Sequence, residues 1–151
     1  MNGTIATNRK AFRDFEVLES FECGIALMGG EVKSLRDKRI SLDESFARIE
    51  KNRVILYSAN ITPYEQASYL KSEPTRQRFL LLHKAQILRL QEKMGQKGLA
   101  LVPLKMYFNS RGYAKVELAL CKGKKQFDHR QDIKKRDTDM FLRRQMKNRA
   151  R

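Results

Sequence analysis

The sequence predicts a mainly β fold with flanking α-helices, followed by a highly charged tail. Apolar residues alternate with polar ones through several strand-length runs. Turn-forming pairs punctuate these runs, and from Gly123 onward apolar residues become sparse. With 151 residues, 41% of them hydrophobic, the chain supports one packed core and is no wholly disordered polymer.

Residues 1–13 are polar and basic and are expected to form a mobile arm. Phe15 to Leu27 alternates as strand, with Phe21, Cys23, Ile25 and Leu27 on one face and Glu22 and Gly24 on the other. Gly29-Gly30 ends that run, and Glu31 to Arg36 has room for one or two helical turns. Ser45–Lys51 and Val54–Ile61 form a hairpin-like pair joined at Asn52-Arg53. Thr62 to Arg78 is expected to be a loop with Pro63, Pro74 and the exposed aromatic candidates Tyr64 and Tyr69. A helix is predicted over Lys84–Lys97, because Ile87, Leu90 and Met94 share a stripe and Gly98 suits its stop, although Gly95 weakens the last turn. Two strands follow, Ala100–Phe108 and Ala114–Lys122. Val102, Leu104, Met106 and Phe108 are expected to share one face, as are Val116, Leu118 and Leu120. Asn109-Ser110-Arg111-Gly112 supplies the turn, and Pro103 argues for an edge or a bulge. Five or six short strands with an inserted helix close most simply into a small antiparallel OB-like barrel over residues 14–122; an open α+β sheet is the alternative. Residues 123–151 hold 11 Lys and Arg against four Asp and too few apolar residues to repay the cost of ordering. They are expected to be disordered, or helical only on a polyanion.

Thirty-two Lys and Arg against 17 Asp and Glu give a net charge of +15, which calls for an acidic partner such as nucleic acid. No apolar run reaches the ~18–20 residues that span a bilayer, and neither a signal-peptide core nor a lipidation motif is present. The two cysteines, Cys23 and Cys121, lie in apolar stretches and read as buried thiols rather than a disulfide.

Enzyme chemistry lacks its constellations. His83 and His129 show no metal-ligand spacing, no CxxC occurs, and no GxxxxGK[ST] loop is available for a nucleotide phosphate. Asp43-Glu44 reads as solvated surface. No catalytic residue, metal or cofactor is expected. RNA recognition has better material: basic residues interleave with aromatics at Arg9-Lys10-Ala11-Phe12-Arg13, Arg76-Gln77-Arg78-Phe79 and Gly123-Lys124-Lys125-Gln126-Phe127. Such segments put a phosphate-neutralising charge beside a ring on which an unpaired base stacks. Phe12 and Phe79 read equally well as core, whereas Phe127 sits in a charged segment and is expected to be exposed.

Several stretches together resemble the SmpB family of tmRNA-binding proteins: Asn8-Arg9-Lys10-Ala11, Phe21-Glu22-Cys23-Gly24, Gly30-Glu31-Val32-Lys33-Ser34-Leu35-Arg36, Ile61-Thr62-Pro63-Tyr64-Glu65, Leu80-Leu81-Leu82-His83, Leu101-Val102-Pro103-Leu104, Lys115-Val116-Glu117-Leu118, and Gly123-Lys124-Lys125 through Asp132-Ile133-Lys134-Lys135-Arg136-Asp137. The resemblance implies an OB-like barrel acting in bacterial trans-translation. Its partners would be the tRNA-like domain of tmRNA and the ribosome, chiefly small-subunit rRNA, with elongation factor Tu and alanyl-tRNA synthetase as indirect partners. The chain would work as a cytoplasmic monomer without covalent chemistry of its own. Asn8, Arg9, Lys10, Glu22 and Leu81 would face tmRNA. Lys124, Lys125, Phe127, Asp128, Arg130, Lys134, Lys135, Arg136 and Met146 would lie in the decoding site and empty mRNA channel. His129 departs from the family, which more often has Lys there. A ribosomal protein or RNA chaperone, and a metal-dependent nuclease, are the competing readings.

Overall fold

The computed structural model describes residues 3–65, 73–95, 98–124 and 126–149, the positions 126–129 and 149 by backbone alone. In chain order the elements are β1 (Gly3–Thr7), α1 (Arg9–Asp14), β2 (Phe15–Ile25), α2 (Gly29–Arg36), β3 (Ile40–Ser41), β4 (Phe46–Glu50), β5 (Arg53–Tyr57), β6 (Asn60–Ile61), β7 (Arg78–Leu81), α3 (Lys84–Met94), β8 (Leu99–Phe108), β9 (Ala114–Gly123) and α4 (Gln126–Arg149).

Antiparallel pairing closes the sheet into a ring, β8-β4-β5-β7-β2-β9 and back to β8, so the fold is an OB-like barrel with flanking helices. Its longest seam is the hairpin of β8 and β9. There the Asn109 side chain accepts from the amides of Arg111 (3.1 Å) and Tyr113 (2.9 Å), and Gly112 takes a φ of +82° that a side chain would resist. β1 pairs with the far edge of β8 from Phe108 to Lys105, while β4 meets that edge only at Leu101. β3 and β6 form a separate two-stranded ribbon.

The barrel interior holds Phe21, Cys23, Val54, Leu56, Leu101, Met106, Val116, Leu118 and Leu120, capped by Leu35 of α2 and Leu90 of α3. Burying each of the larger aliphatic side chains contributes about 1.5–3 kcal/mol. A second, smaller cluster lies outside, where Ala11 of α1 packs on Val102, Leu104, Ala119 and Cys121. Both thiols are buried and free; burial pushes Cys23 up to about 12 and Cys121 up to about 11. The expected common face of Val102, Leu104, Met106 and Phe108 is therefore split. The register shifts between Pro103 and Lys105, so Val102 and Leu104 face α1 while Met106 and Phe108 face the barrel. Proline has no amide to give the ladder, and a bulge accommodates it.

Other expectations also change. Residues 3–13 are not a mobile arm: β1 is recruited by β8, and α1 is pinned by Ala11. The β4–β5 turn is Lys51-Asn52, with φ of +48° and +60°, one residue earlier than expected; this two-residue geometry suits the twist of a hairpin. β7 occupies residues expected to be loop or helix start. α3 stops at Met94 with Gly95 as its cap, and Gly98, at φ +82°, leads into β8 instead. Tyr64 is half-buried with the Lys33 ammonium 5.4 Å from its ring centroid; Tyr69 lies outside the described residues.

Candidate nucleic-acid interface

The first basic–aromatic segment becomes α1. Asn8 caps it, its Oδ1 accepting from the Ala11 amide at 3.0 Å, while its Nδ2 donates to the carbonyls of Leu42 and Pro103, both at 3.0 Å. The residue is 1% exposed, so its amide group is wholly committed inside the protein. The residue expected to face tmRNA is thus buried, and its side chain holds α1 against the barrel. What it positions is the outer face of α1, where Arg9, Lys10, Phe12 and Arg13 are exposed. Lys10 forms an ion pair with Glu44, and Arg13 with Asp14 at 2.9 Å. Exposed pairs of this kind are weak enough for a phosphate to replace.

Glu22 projects from β2 into an open cleft of about 590 Å³ that Tyr107 and Lys105 of β8 and Glu117 of β9 also line. It lies directly opposite Glu117 across the β2–β9 ladder. Two carboxylates so placed repel, and each has its own partner: the Tyr107 hydroxyl donates to Glu22, and the Lys105 ammonium pairs with Glu117 at 3.0 Å. Desolvation, with the Glu22 hydrogen bond, raises the Tyr107 phenol well above its ordinary range, so it stays a donor. The second Glu22 oxygen has no hydrogen bond among the described residues and is left as an acceptor for base amino or imino groups. Tyr107 was not singled out by sequence. Alternation puts it outward beside inward Met106, but its approach to Glu22, 85 residues away, is a product of barrel closure.

Leu81 sits on β7, not on a helix, and is 59% exposed. It lies opposite Gly24, where an added Cβ would come within 3.3 Å of the Leu81 side chain. The glycine lets Leu81 lie low against the sheet. In the second basic–aromatic segment the expectation divides. Phe79 is 44% exposed under the Arg53 guanidinium, 5.4 Å from its ring centroid. Arg76 and Arg78 instead turn inward onto Glu31 of α2. Arg78 donates to Glu31 Oε1 through Nε (2.9 Å) and Nη2 (2.7 Å), and to the carbonyls of Ala59 and Pro74. Arg76 donates to both Glu31 oxygens, at 2.8 and 2.6 Å. Burial pushes the Glu31 carboxyl up, but the hydrogen bonds from Arg76, Arg78 and the Met28 amide outweigh it and leave the group below the usual range.

At the root of the tail, Lys124 is anchored. Its amide donates to the Asp14 carbonyl (3.0 Å), and its ammonium reaches the Phe12 carbonyl (3.4 Å) and pairs with Asp132. Beyond it, Arg130, Lys134, Lys135, Arg136 and Met146 are all exposed on α4, with Met146 at 69%. Ile133, Met140, Phe141 and Leu142 are exposed too and spread around the helix rather than along one stripe. Phe127 and Asp128 fall within the backbone of α4; Lys125 and the side chains of residues 126–129, His129 included, lie outside the described residues. Among the described residues no group of His, Cys, Asp and Glu could hold a metal ion, and no helix is long and apolar enough to cross a membrane.

Comparison with known proteins gives one consistent relationship. A family model described as SmpB protein matches residues 5–148. The chain is 51% identical over 146 residues to the SsrA-binding protein of Desulforamulus reducens, covering 97% of this chain and 91% of that protein. It is 51% identical over 147 residues to that of Pelotomaculum thermopropionicum, covering 97% and 95%. It also superposes with a TM-score of 0.68 and 54% identity on a chain solved in a study described as "tmRNA-SmpB: a journey to the center of the bacterial ribosome", covering 80% of this chain and 85% of that one.

Proposed function

The chain belongs to the SmpB protein family, and from that premise we propose that its barrel and its tail serve two different RNAs. It is an RNA-binding adaptor of trans-translation, with tmRNA and the bacterial ribosome as partners. The observation that carries this is the match along nearly the whole chain to proteins named for binding SsrA, one solved with tmRNA in the context of the bacterial ribosome.

In this reading the barrel face binds the tRNA-like domain of tmRNA. Arg9 and Lys10 neutralise phosphates from α1, which Asn8 holds in place. Glu22, fixed by Tyr107, accepts hydrogen bonds from a base, and Leu81 meets a base or sugar with apolar surface. The tail enters the decoding site and the empty mRNA channel. There Lys125, Arg130, Lys134, Lys135 and Arg136 meet small-subunit rRNA phosphates, Phe127 stacks on a base, Asp128 accepts from base donors, and Met146 fills the channel's far end. Lys124 forms the joint between the two parts. The chain performs no covalent chemistry. Alanyl-tRNA synthetase and elongation factor Tu act on the RNA it carries, and it works as a monomer in the bacterial cytoplasm.

The test is to recover the full chain from growing cells and sequence the RNA bound to it. Strong enrichment of one alanine-accepting, tRNA-like RNA is expected. Recovery of rRNA fragments alone would overturn the adaptor role in favour of a ribosomal protein or chaperone.

A further inference from the structure

Outward-facing residues of β4, β5 and β7 form a surface that the assignments above leave unused. Phe46 and Tyr57 are cross-strand partners whose rings stack at 5.3 Å between centroids and 10° between planes. The Tyr57 hydroxyl donates to Glu50 at 2.6 Å, which fixes that ring. The Arg48 guanidinium lies over both rings, 5.2 Å from Phe46 and 5.9 Å from Tyr57. Arg53 lies over Phe79 at 5.4 Å, one strand further round. Neither arginine has an ion-pair or hydrogen-bond partner among the described residues, in a chain already at +15.

A stacked cross-strand pair by itself only stabilises a hairpin. Two arginines with no ion pair among the described residues, one over the half-buried Phe46 and Tyr57 and one over the exposed Phe79, offer more. A guanidinium held over a ring gives an unpaired base a flat, cationic surface to stack on, while its edge N–H groups remain free for phosphate. The surface is also continuous with the proposed tmRNA face at both ends. Phe79 is two residues from Leu81 on the same side of β7. Phe46 lines a cleft of about 310 Å³ with Lys10 and Arg13 of α1. We infer that the outer face of β4, β5 and β7 is an additional contact surface for unpaired bases of the tmRNA, seated on the Arg48–Phe46–Tyr57 and Arg53–Phe79 platforms. This rests on the chain's role as an RNA-binding adaptor. The positive charge favours RNA over a protein partner.

The test uses the full chain with Arg48→Ala plus Arg53→Ala, and separately with Arg48→Lys plus Arg53→Lys, thermal melting confirming that both variants fold. Each is titrated with the isolated tRNA-like RNA and with ribosomes. The alanine variant is expected to lose about tenfold in affinity for the tRNA-like RNA, with lysine restoring only part, because charge returns without the planar stacking group. Loss on ribosomes alone would assign the surface to rRNA and overturn its assignment to tmRNA. Unchanged affinity for both, or full restoration by lysine, overturns the inference while leaving the adaptor role standing. Failure of the unsubstituted chain to bind either RNA overturns both.

Discussion

Asn8 ties three parts of the fold together, because its amide caps α1 and donates to carbonyls of the Leu42 and Pro103 segments. Replacing it with alanine removes the cap and takes its donor from the buried Pro103 carbonyl, while the Leu42 carbonyl still accepts from the amide and hydroxyl of Ser45. A loss of about 2–3 kcal/mol in urea unfolding is expected. Asn8→Asp keeps the cap acceptor but turns a carboxylate oxygen toward the same carbonyls, so it should be at least as damaging. An Asn8→Asp protein of full stability would show that the capping bond alone matters. Glu31 carries a different liability. Glu31→Gln strands Arg78, which is fully buried, and is expected to cost about 3–5 kcal/mol. Because the folded Glu31 carboxyl lies below its unfolded value, its contribution is complete above the unfolded pKa of about 4.3 and disappears as pH falls through the folded value. The native chain should therefore lose more stability than Glu31→Gln as pH falls below the unfolded pKa of about 4.3. Parallel pH profiles for the two proteins would contradict this.

Among the elements, those legible in sequence have their own periodicity. β8 and β9 are long alternating runs joined by a turn that asparagine and glycine specify, and both strands lie within a residue of expectation. β1 is different: Ile5 and Ala6 are its only apolar residues, and it is a strand because β8 offers an edge. β7 has four residues and abuts a helix start, so nothing local separates it from a loop. The candidate site follows the same division. Glu22 is outward by simple alternation, and Leu81 is exposed as its proposed role requires. The burial of Asn8, the inward turn of Arg76 and Arg78, and the Tyr107 bond to Glu22 all depend on distant segments. α4 lies at the far extreme, with exposed apolar residues on every side and no stripe to pack. A peptide of residues 126–151 is expected to be largely unfolded by circular dichroism in plain buffer and to gain helix on adding RNA. A stable helix without RNA would contradict that.

At the scale of the whole molecule, the positive charge is divided between a rigid barrel and an extended helix. Ending the chain after Lys125 should leave affinity for the tRNA-like RNA largely intact while abolishing peptide tagging on ribosomes, measured side by side. Equal loss of both would show that barrel and tail do not act separately. Lys124 joins the two parts. Lys124 is fastened to the last turn of α1 through the carbonyls of Phe12 and Asp14, and to α4 through Asp132. Mechanically, this makes Lys124 a fulcrum and α4 a lever of 24 residues, about 36 Å at 1.5 Å per residue. A tilt of about 10° at that pivot swings the far end by about 6 Å, roughly the separation of neighbouring phosphates along an RNA strand. Once α4 is held helical on RNA, a small change of angle at Lys124 is thus a large displacement at its tip.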